Sequence, residues 1–220
     1  MTTLTTAPVA PLLERLQAQN ASASRAADPA LADVLVGHEQ LMRSKTEYRA
    51  FYGRLKDFPL AVSPDTGKLL YMLARSCRAR AIVEFGTSFG ISTLHLAAAL
   101  RDNGGGRLIT SEFEPSKLAR ARANLTTAGL VDLVEFREGD ALQTLSVDLP
   151  DTIDLVLLDG AKALYADILS LVESRLAPGA FIVADNADYC PDYLARVRAL
   201  DKGYLSVPFA DDVELSIRLG

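Results

Sequence analysis

From about residue 63 onward the chain alternates short continuous apolar runs with longer stretches in which apolar positions recur every three or four residues. The runs are short and bounded by glycine, proline or polar turns, so they predict strands. They fall at Ala81–Phe85, Leu108–Glu112, Leu133–Arg137, Ile153–Asp159 and Ala180–Ala184. The periodic stretches predict helices at Ser92–Leu100, at Ser116–Ala128 closed by Gly129, at Lys162–Leu176 closed by Pro178-Gly179, and at Asp192–Leu200. One further helix precedes the first strand: Ser63 can cap it, Pro64 suits its first position, and Leu69, Met72, Leu73 and Cys77 form its expected buried face. Runs such as Ala-Ile-Val-Glu-Phe and Asp-Leu-Val-Leu-Leu-Asp do not alternate, as in strands covered by helices on both sides. The expectation is a doubly wound α/β fold around a mostly parallel sheet. Tyr204–Phe209 and Val213–Leu219, joined by Ala210-Asp211-Asp212, read instead as a hairpin that adds an antiparallel edge and brings the sheet to seven strands.

The first quarter of the chain is less regular, and no aromatic residue occurs before Tyr48. Residues 1–27 read as a flexible arm with one short helix, on which Leu12, Leu13 and Leu16 share a face. Between Leu31 and Leu55, apolar positions at Leu31, Val34, Leu35, His38, Leu41 and Met42 predict a helix beside the main domain. Residues 28–220 are then one domain, with 28–58 as a helical cap or dimer element. His38 and His95 both fall on apolar helix faces, where a satisfied core histidine is the commoner outcome than a catalytic one.

Composition narrows the function classes. At 220 residues and 49% apolar the chain can bury a sizeable core, which excludes wholesale disorder. A formal charge of −5 argues against nucleic-acid and anionic-membrane partners. No apolar run approaches the roughly 20 residues that cross a bilayer, and residues 1–10 carry no Lys or Arg, so secretion is not signalled. Two isolated cysteines, Cys77 and Cys190, suit idle thiols in a reducing cytoplasm.

Candidate chemistry gathers where predicted strands end, the side on which open α/β sheets bind ligands. The turn Gly86-Thr87-Ser88-Phe89-Gly90 has G-x-x-x-G spacing, not the G-x-G-x-x-G of a pyrophosphate-binding turn, and Ser92 is expected to open the next helix with an exposed hydroxyl. Glu112 ends a strand 22 residues beyond Gly90, where a carboxylate can accept both hydroxyls of a ribose. Gly139-Asp140-Ala141 follows the third strand and could meet an adenine edge. Each alone is equally compatible with a tight turn or a solvated acid. A sharper constellation comes from Asp159 and Asp185-Asn186, which end neighbouring strands: two carboxylates and an amide oxygen suit a hard divalent ion such as Mg²⁺. Lys162 stands three residues after Asp159, where a nearby dication would depress its pKa and make the neutral amine accessible.

Together these stretches, with Ala61-Val62-Ser63-Pro64, Glu84-Phe85-Gly86-Thr87, Glu112-Phe113-Glu114-Pro115, Asp159-Gly160-Ala161-Lys162 followed by Tyr165, and Ala184-Asp185-Asn186, make residues 60–220 resemble the class I S-adenosylmethionine-dependent methyltransferases. Within them the chain looks like the cation-dependent catechol and caffeoyl-coenzyme A O-methyltransferases. The resemblance implies a Rossmann-like methyltransferase fold, methyl transfer to a hydroxyl of a small, aromatic acceptor, and a homodimer. It further implies that Val62, Glu84, Gly86, Thr87, Ser92, Glu112, Asp140 and Ala141 hold S-adenosylmethionine, that Asp159, Asp185 and Asn186 hold a divalent cation, and that Lys162 is the general base. The chain departs from the catechol pattern in having Gly160 and Ala161 where bulky residues are usual, and in lacking Trp altogether. Three other readings remain: a metal-independent methyltransferase of the same fold, a nicotinamide oxidoreductase, which the glycine spacing disfavours, and a non-catalytic ligand-binding module.

Overall fold

The computed structural model describes residues 1–25, 38–210 and 212–220. Seven strands form one sheet: β1 (Ala81–Phe85), β2 (Arg107–Glu112), β3 (Val134–Glu138), β4 (Ile153–Leu158), β5 (Leu176–Ala184), β6 (Tyr204–Phe209) and β7 (Val213–Arg218), in the order β3-β2-β1-β4-β5-β7-β6. β1 to β5 pair in parallel, and β7 pairs antiparallel with both β5 and β6, as the hairpin reading expects. Successive strand residues feed two different cores. Ile82, Leu108, Leu155, Leu157 and Val183 pack on one side of the sheet; Val83, Ile109, Val156, Leu158 and Ile182 pack on the other. That is why the strands read as unbroken apolar runs.

The helices are α1 (Val9–Arg25), α2 (His38–Met42), α3 (Tyr48–Arg54), α4 (Pro64–Ser76), α5 (Ile91–Asp102), α6 (Pro115–Thr127), α7 (Ala141–Thr144), α8 (Tyr165–Val172) and α9 (Pro191–Arg198). Helix α4 starts as the sequence predicts, with Ser63 Oγ accepting from the Thr66 amide at 3.0 Å and Pro64 in the first turn. Its buried face is different: Thr66, Gly67, Leu70 and Ala74 are buried, whereas Met72 is 64% exposed. The small residues let α4 lie close against α5, and the longer side chains expected inside are left at the flank. Every residue of α5 from Ile91 to Leu100 is buried, His95 included, whose Nδ1 lies 2.8 Å from the Ile91 carbonyl oxygen. Burial lowers the His95 pKa, so it is a satisfied core imidazole.

Three expectations change. The first residues are seated rather than loose: Val9, Leu12, Leu13 and Leu16 enter the same core as α5, and Asp102 accepts from the Thr3 amide and hydroxyl and from the Tyr71 hydroxyl. The helix expected over Leu31–Leu55 is interrupted between α2 and α3, where Ser44 Oγ accepts from the Glu47 amide at 3.1 Å and so competes with helical bonding. Leu31, Val34, Leu35, the His38 side chain, Asp211 and the boundary at 27/28 lie outside the described residues. Finally, Leu176 is in β5, not at a helix end. Ile153 already pairs with Leu176, and an irregularity between Ile153 and Leu155 absorbs Pro178-Gly179 within the strand. At the far edge, Arg198 grips buried Glu214 through two bonds of 2.8 and 2.7 Å, tying α9 to the hairpin.

Candidate active site

The parallel register places the strand ends side by side. The Asp159 amide donates to the Phe85 carbonyl at 2.8 Å, the Asp185 amide to Leu158 at 2.9 Å, the Gly86 amide to Ser111 at 3.1 Å and the Gly139 amide to Glu112 at 2.9 Å. Gly86, Glu112, Asp140, Asp159 and Asp185 therefore gather along one rim, beside the point between β1 and β4 where the strand order reverses. At Gly86 the backbone is at φ +102°, and a Cβ would stand 2.5 Å from the Asp159 carbonyl oxygen. The glycine is thus required by the crossing of two chain segments, in addition to any ligand above them.

A hollow of about 630 Å³, part of it open to solvent, lies on this rim. Of the eight residues predicted to hold a cofactor, Gly86, Glu112, Asp140 and Ala141 line it. Glu112 is fixed from below: Oε2 accepts from the Ser88 amide at 2.9 Å and Oε1 from the Glu114 amide at 3.0 Å. Asp140 caps α7 through the Leu142 amide at 3.0 Å and pairs with Arg49 at 2.5 Å. The other four sit behind the rim. Glu84 is fully buried and accepts from Ser92, Thr93 and Thr110 hydroxyls at 2.7, 2.6 and 2.6 Å, and Thr87 Oγ1 lies 2.5 Å from Thr110 Oγ1. The Ser92 hydroxyl, read from sequence as exposed, is turned inward because it is one of the donors that make a buried carboxylate tolerable. Burial pushes Glu84 up to about 7 against the pull of those hydroxyls. Val62 is buried between Ala61 and Ser63, which line an adjoining cleft.

That cleft contains Asp159, Lys162, Asp185, Asn186 and Asp212. Lys162 is 4% exposed and donates to Asp159 Oδ1 at 3.0 Å, Tyr165 Oη at 2.8 Å and the Asp185 carbonyl at 3.2 Å, using all three ammonium protons inside the protein. Tyr165 in turn donates to the Asp185 carbonyl at 2.7 Å. Burial alone would lower the Lys162 pKa, but Asp159, Tyr52 and Asp185 outweigh it and raise it. Asp159 and Asp185 are hydrogen-bonded to one another; burial and then the Asp159 charge push Asp185 up to about 8, and burial also raises Asp159. Two carboxylates that share a proton form a donor set that a dication would relieve. Asn186 completes it: its Nδ2 donates to Asp212 at 2.8 Å, leaving the amide oxygen as a donor atom for an ion. Among the described residues no group of three or more His, Cys, Asp or Glu side chains is placed to hold a metal ion, so a hard divalent ion here would rest on two carboxylates and the Asn186 amide oxygen. Cys190 beside this cleft is inert, its thiol pushed up to about 12 by burial.

The departure at 160 has a local cause. A Cβ on Gly160 would lie 2.5 Å from the Phe85 ring, which is buried and set edge-on to Tyr165 with centroids 6.3 Å apart. The aromatic bulk of this wall is supplied by Phe85 from β1. Sequence reasoning did not single out Tyr48, Ser88, Lys117 or Tyr52, all of which line the hollow. The start of aromatic residues at Tyr48 was the available signal for the first and last. Ser88 carried none: it adopts φ +46° and holds a buried hydroxyl without a hydrogen-bond partner. Asp159, Tyr52 and Leu60 line both hollow and cleft, so the two form one continuous site.

Comparison with known proteins identifies the family. A family described as a methyltransferase domain matches residues 83–187. A protein of Mycobacterium sp. (strain JLS) named as an O-methyltransferase is 32% identical over 162 residues, covering 72% of this chain and 73% of that one. The chain belongs to the S-adenosylmethionine-dependent O-methyltransferases. Among other members of this O-methyltransferase family, the catechol O-methyltransferase of Niastella koreensis is 38% identical over 130 residues. That match spans 58% of this chain and 58% of the relative, so a little over half of the relative's length is represented. The crystal structure of the O-methyltransferase TomG from Streptomyces achromogenes, in complex with S-adenosylmethionine, superposes with a TM-score of 0.64 at 28% identity, covering 86% of this chain and 96% of TomG. No helix among the described residues is long and apolar enough to cross a membrane.

Proposed function

We propose that this O-methyltransferase moves the methyl group of S-adenosylmethionine to one hydroxyl of a small catechol-like acceptor, assisted by a divalent cation. The observation that carries this reading is the shared wall: Asp159 and Tyr52 line both the hollow bounded by Gly86, Glu112 and Ala141 and the cleft holding Lys162, Asp185 and Asn186. A methyl donor in the first and a hydroxyl in the second would meet at that wall. Glu112 would accept the ribose hydroxyls, with Asp140 and Ala141 against the adenine. Glu84, Thr87 and Ser92 act from behind by holding the Gly86 turn, and Val62 closes the methionyl end. Asp159, Asp185 and Asn186 would hold the cation, which when bound supplies Lewis acidity that acidifies paired hydroxyls.

Lys162 is the proposed general base. While only Asp159, Tyr52 and Asp185 face it, Lys162 is held as an ammonium with no lone pair. Positive charge bound at the two carboxylates would offset their pull and lower its pKa, and the neutral amine, keeping two of its three hydrogen bonds, could take the acceptor proton at Nζ. Proton removal leaves an oxyanion in line with the methyl group. Holding the two reactants together can lower the barrier by about 7–11 kcal/mol. The native protein is further expected to be a cytoplasmic homodimer, which light scattering would check.

A metal-independent reading draws on one observation, that Lys162 already neutralises Asp159 at 3.0 Å. Product mass spectrometry on a panel of vicinal diphenols, with Mg²⁺ and with EDTA, separates the two. Chelator-sensitive methylation supports the cation; full turnover in EDTA removes it from the reaction. A thermal shift with NAD but none with S-adenosylmethionine would overturn the whole assignment.

A further inference from the structure

Among the described residues only three buried side-chain polar atoms lack a hydrogen-bond partner: the hydroxyls of Tyr52, Ser88 and Tyr193. Tyr193 sits in the core beside Tyr165, with ring centroids 5.9 Å apart, and Ser88 belongs to the turn under the proposed cofactor. Tyr52 is different. It comes from α3, outside the sheet, and its ring is held edge-on by Phe51 at a centroid distance of 5.0 Å. The residue is partly exposed while its hydroxyl is buried, so the polar end points inward. There it faces Lys162 and Asp159, on the wall shared by hollow and cleft. Burying a hydroxyl without a partner is costly, and such groups call for an explanation such as a ligand.

We propose that Tyr52 is an acceptor-binding residue whose hydroxyl donates a hydrogen bond to the oxygen of the vicinal pair that is not methylated. The inference rests on the catechol-like reading above and adds a determinant of regiochemistry to it. The oxygen facing Lys162 loses its proton and receives the methyl; the Tyr52 hydroxyl keeps its own proton and fixes the other. Tyr52 also makes α3 part of the acceptor site, so the segment before α4 contributes to the choice of substrate.

The test compares wild type with Tyr52→Phe at saturating Mg²⁺ and S-adenosylmethionine, using 3,4-dihydroxybenzoate, whose 3-O- and 4-O-methyl products separate by chromatography. Tyr52→Phe is expected to raise KM about tenfold, the worth of one hydrogen bond of about 1.4 kcal/mol. It should leave kcat within about threefold and draw the isomer ratio toward unity. Visible titration with 4-nitrocatechol in the presence of S-adenosylhomocysteine should show the same loss of affinity without turnover. The melting temperature should stay nearly level, since the Tyr52 hydroxyl donates no bond within the protein; a marked fall would assign the hydroxyl to the fold and overturn the proposal. Unchanged KM, isomer ratio and nitrocatechol affinity would overturn it while leaving the methyltransferase reading intact. A wild type that neither methylates 3,4-dihydroxybenzoate nor binds 4-nitrocatechol would overturn both.

Discussion

The two halves of the rim treat their carboxylates in opposite ways. Glu84 and Glu112, on the proposed cofactor side, are each enclosed by donors: three hydroxyls around Glu84 and two main-chain amides on Glu112. Asp159 and Asp185, on the proposed cation side, face each other, and only the Asp159 carboxylate is bonded by Lys162. The first half is complete within the chain, whereas the second balances two buried carboxylates with one lysine and a proton held between them. Preorganised donors suit a ligand that must be placed in one pose, and paired carboxylates suit a ligand that brings positive charge.

This contrast breaks most sharply at Lys162. Lys162→Met should lower kcat by about 10²–10⁴-fold, the usual range for a general base, with little change in the S-adenosylmethionine Kd measured by calorimetry. Unchanged turnover would remove the base. On the other half, Glu84→Ala leaves three buried hydroxyls without their acceptor and should cost on the order of 3 kcal/mol in denaturant unfolding, without abolishing cation binding. Glu84 also gives a signed pH effect. Its folded pKa, about 7, lies above the ordinary carboxylate value, so the folded state binds the proton more tightly and stability falls as pH rises through that window. Glu84→Gln should flatten that slope in melting curves between pH 5 and 8.

Mg²⁺ should raise the melting temperature of chelator-treated protein, by about 2.7 kcal/mol of stability at a hundredfold excess over Kd. Its affinity should weaken as pH falls below about 8, because Asp185 must lose its proton to take part. Asp185→Asn should remove most of the response, and a variant that responds like wild type would sink the cation assignment. The smallest effect is expected from Thr110→Val, which removes one donor to Glu84 and the partner of Thr87. A loss of about 1 kcal/mol with unchanged Mg²⁺ response would keep the two halves separate.

The sheet was legible in the sequence because each of its central strands is covered on both faces, so burial left a continuous apolar signature at Ala81–Phe85 and Ile153–Leu158. The rim was legible for a related reason: an acid directly after such a run, as at Asp159 or Asp185, has left the core and stands at the ligand side. Orientation was not. Nothing in the order of residues distinguishes Glu84, which points into a cage of hydroxyls, from Glu112, which borders the hollow; that depends on Thr93 and Thr110 arriving from other elements. The buried face of α4 was misread because close helix packing favours Thr66, Gly67 and Ala74 over larger apolar residues. The contribution of α3 depends on a long-range approach that no local pattern encodes.

Phe85 and Gly160 occupy one volume between them, and this constrains how the site could change through mutation. A bulky residue at 160 is excluded while Phe85 is in place, and a smaller residue at 85 leaves a cavity while 160 remains glycine. The two positions are therefore epistatic: a lineage moving aromatic bulk from one wall of the site to the other must pass through a variant that is either overfilled or underfilled. Directed evolution toward other acceptors would do better to exchange both residues in one combinatorial library than to screen them singly.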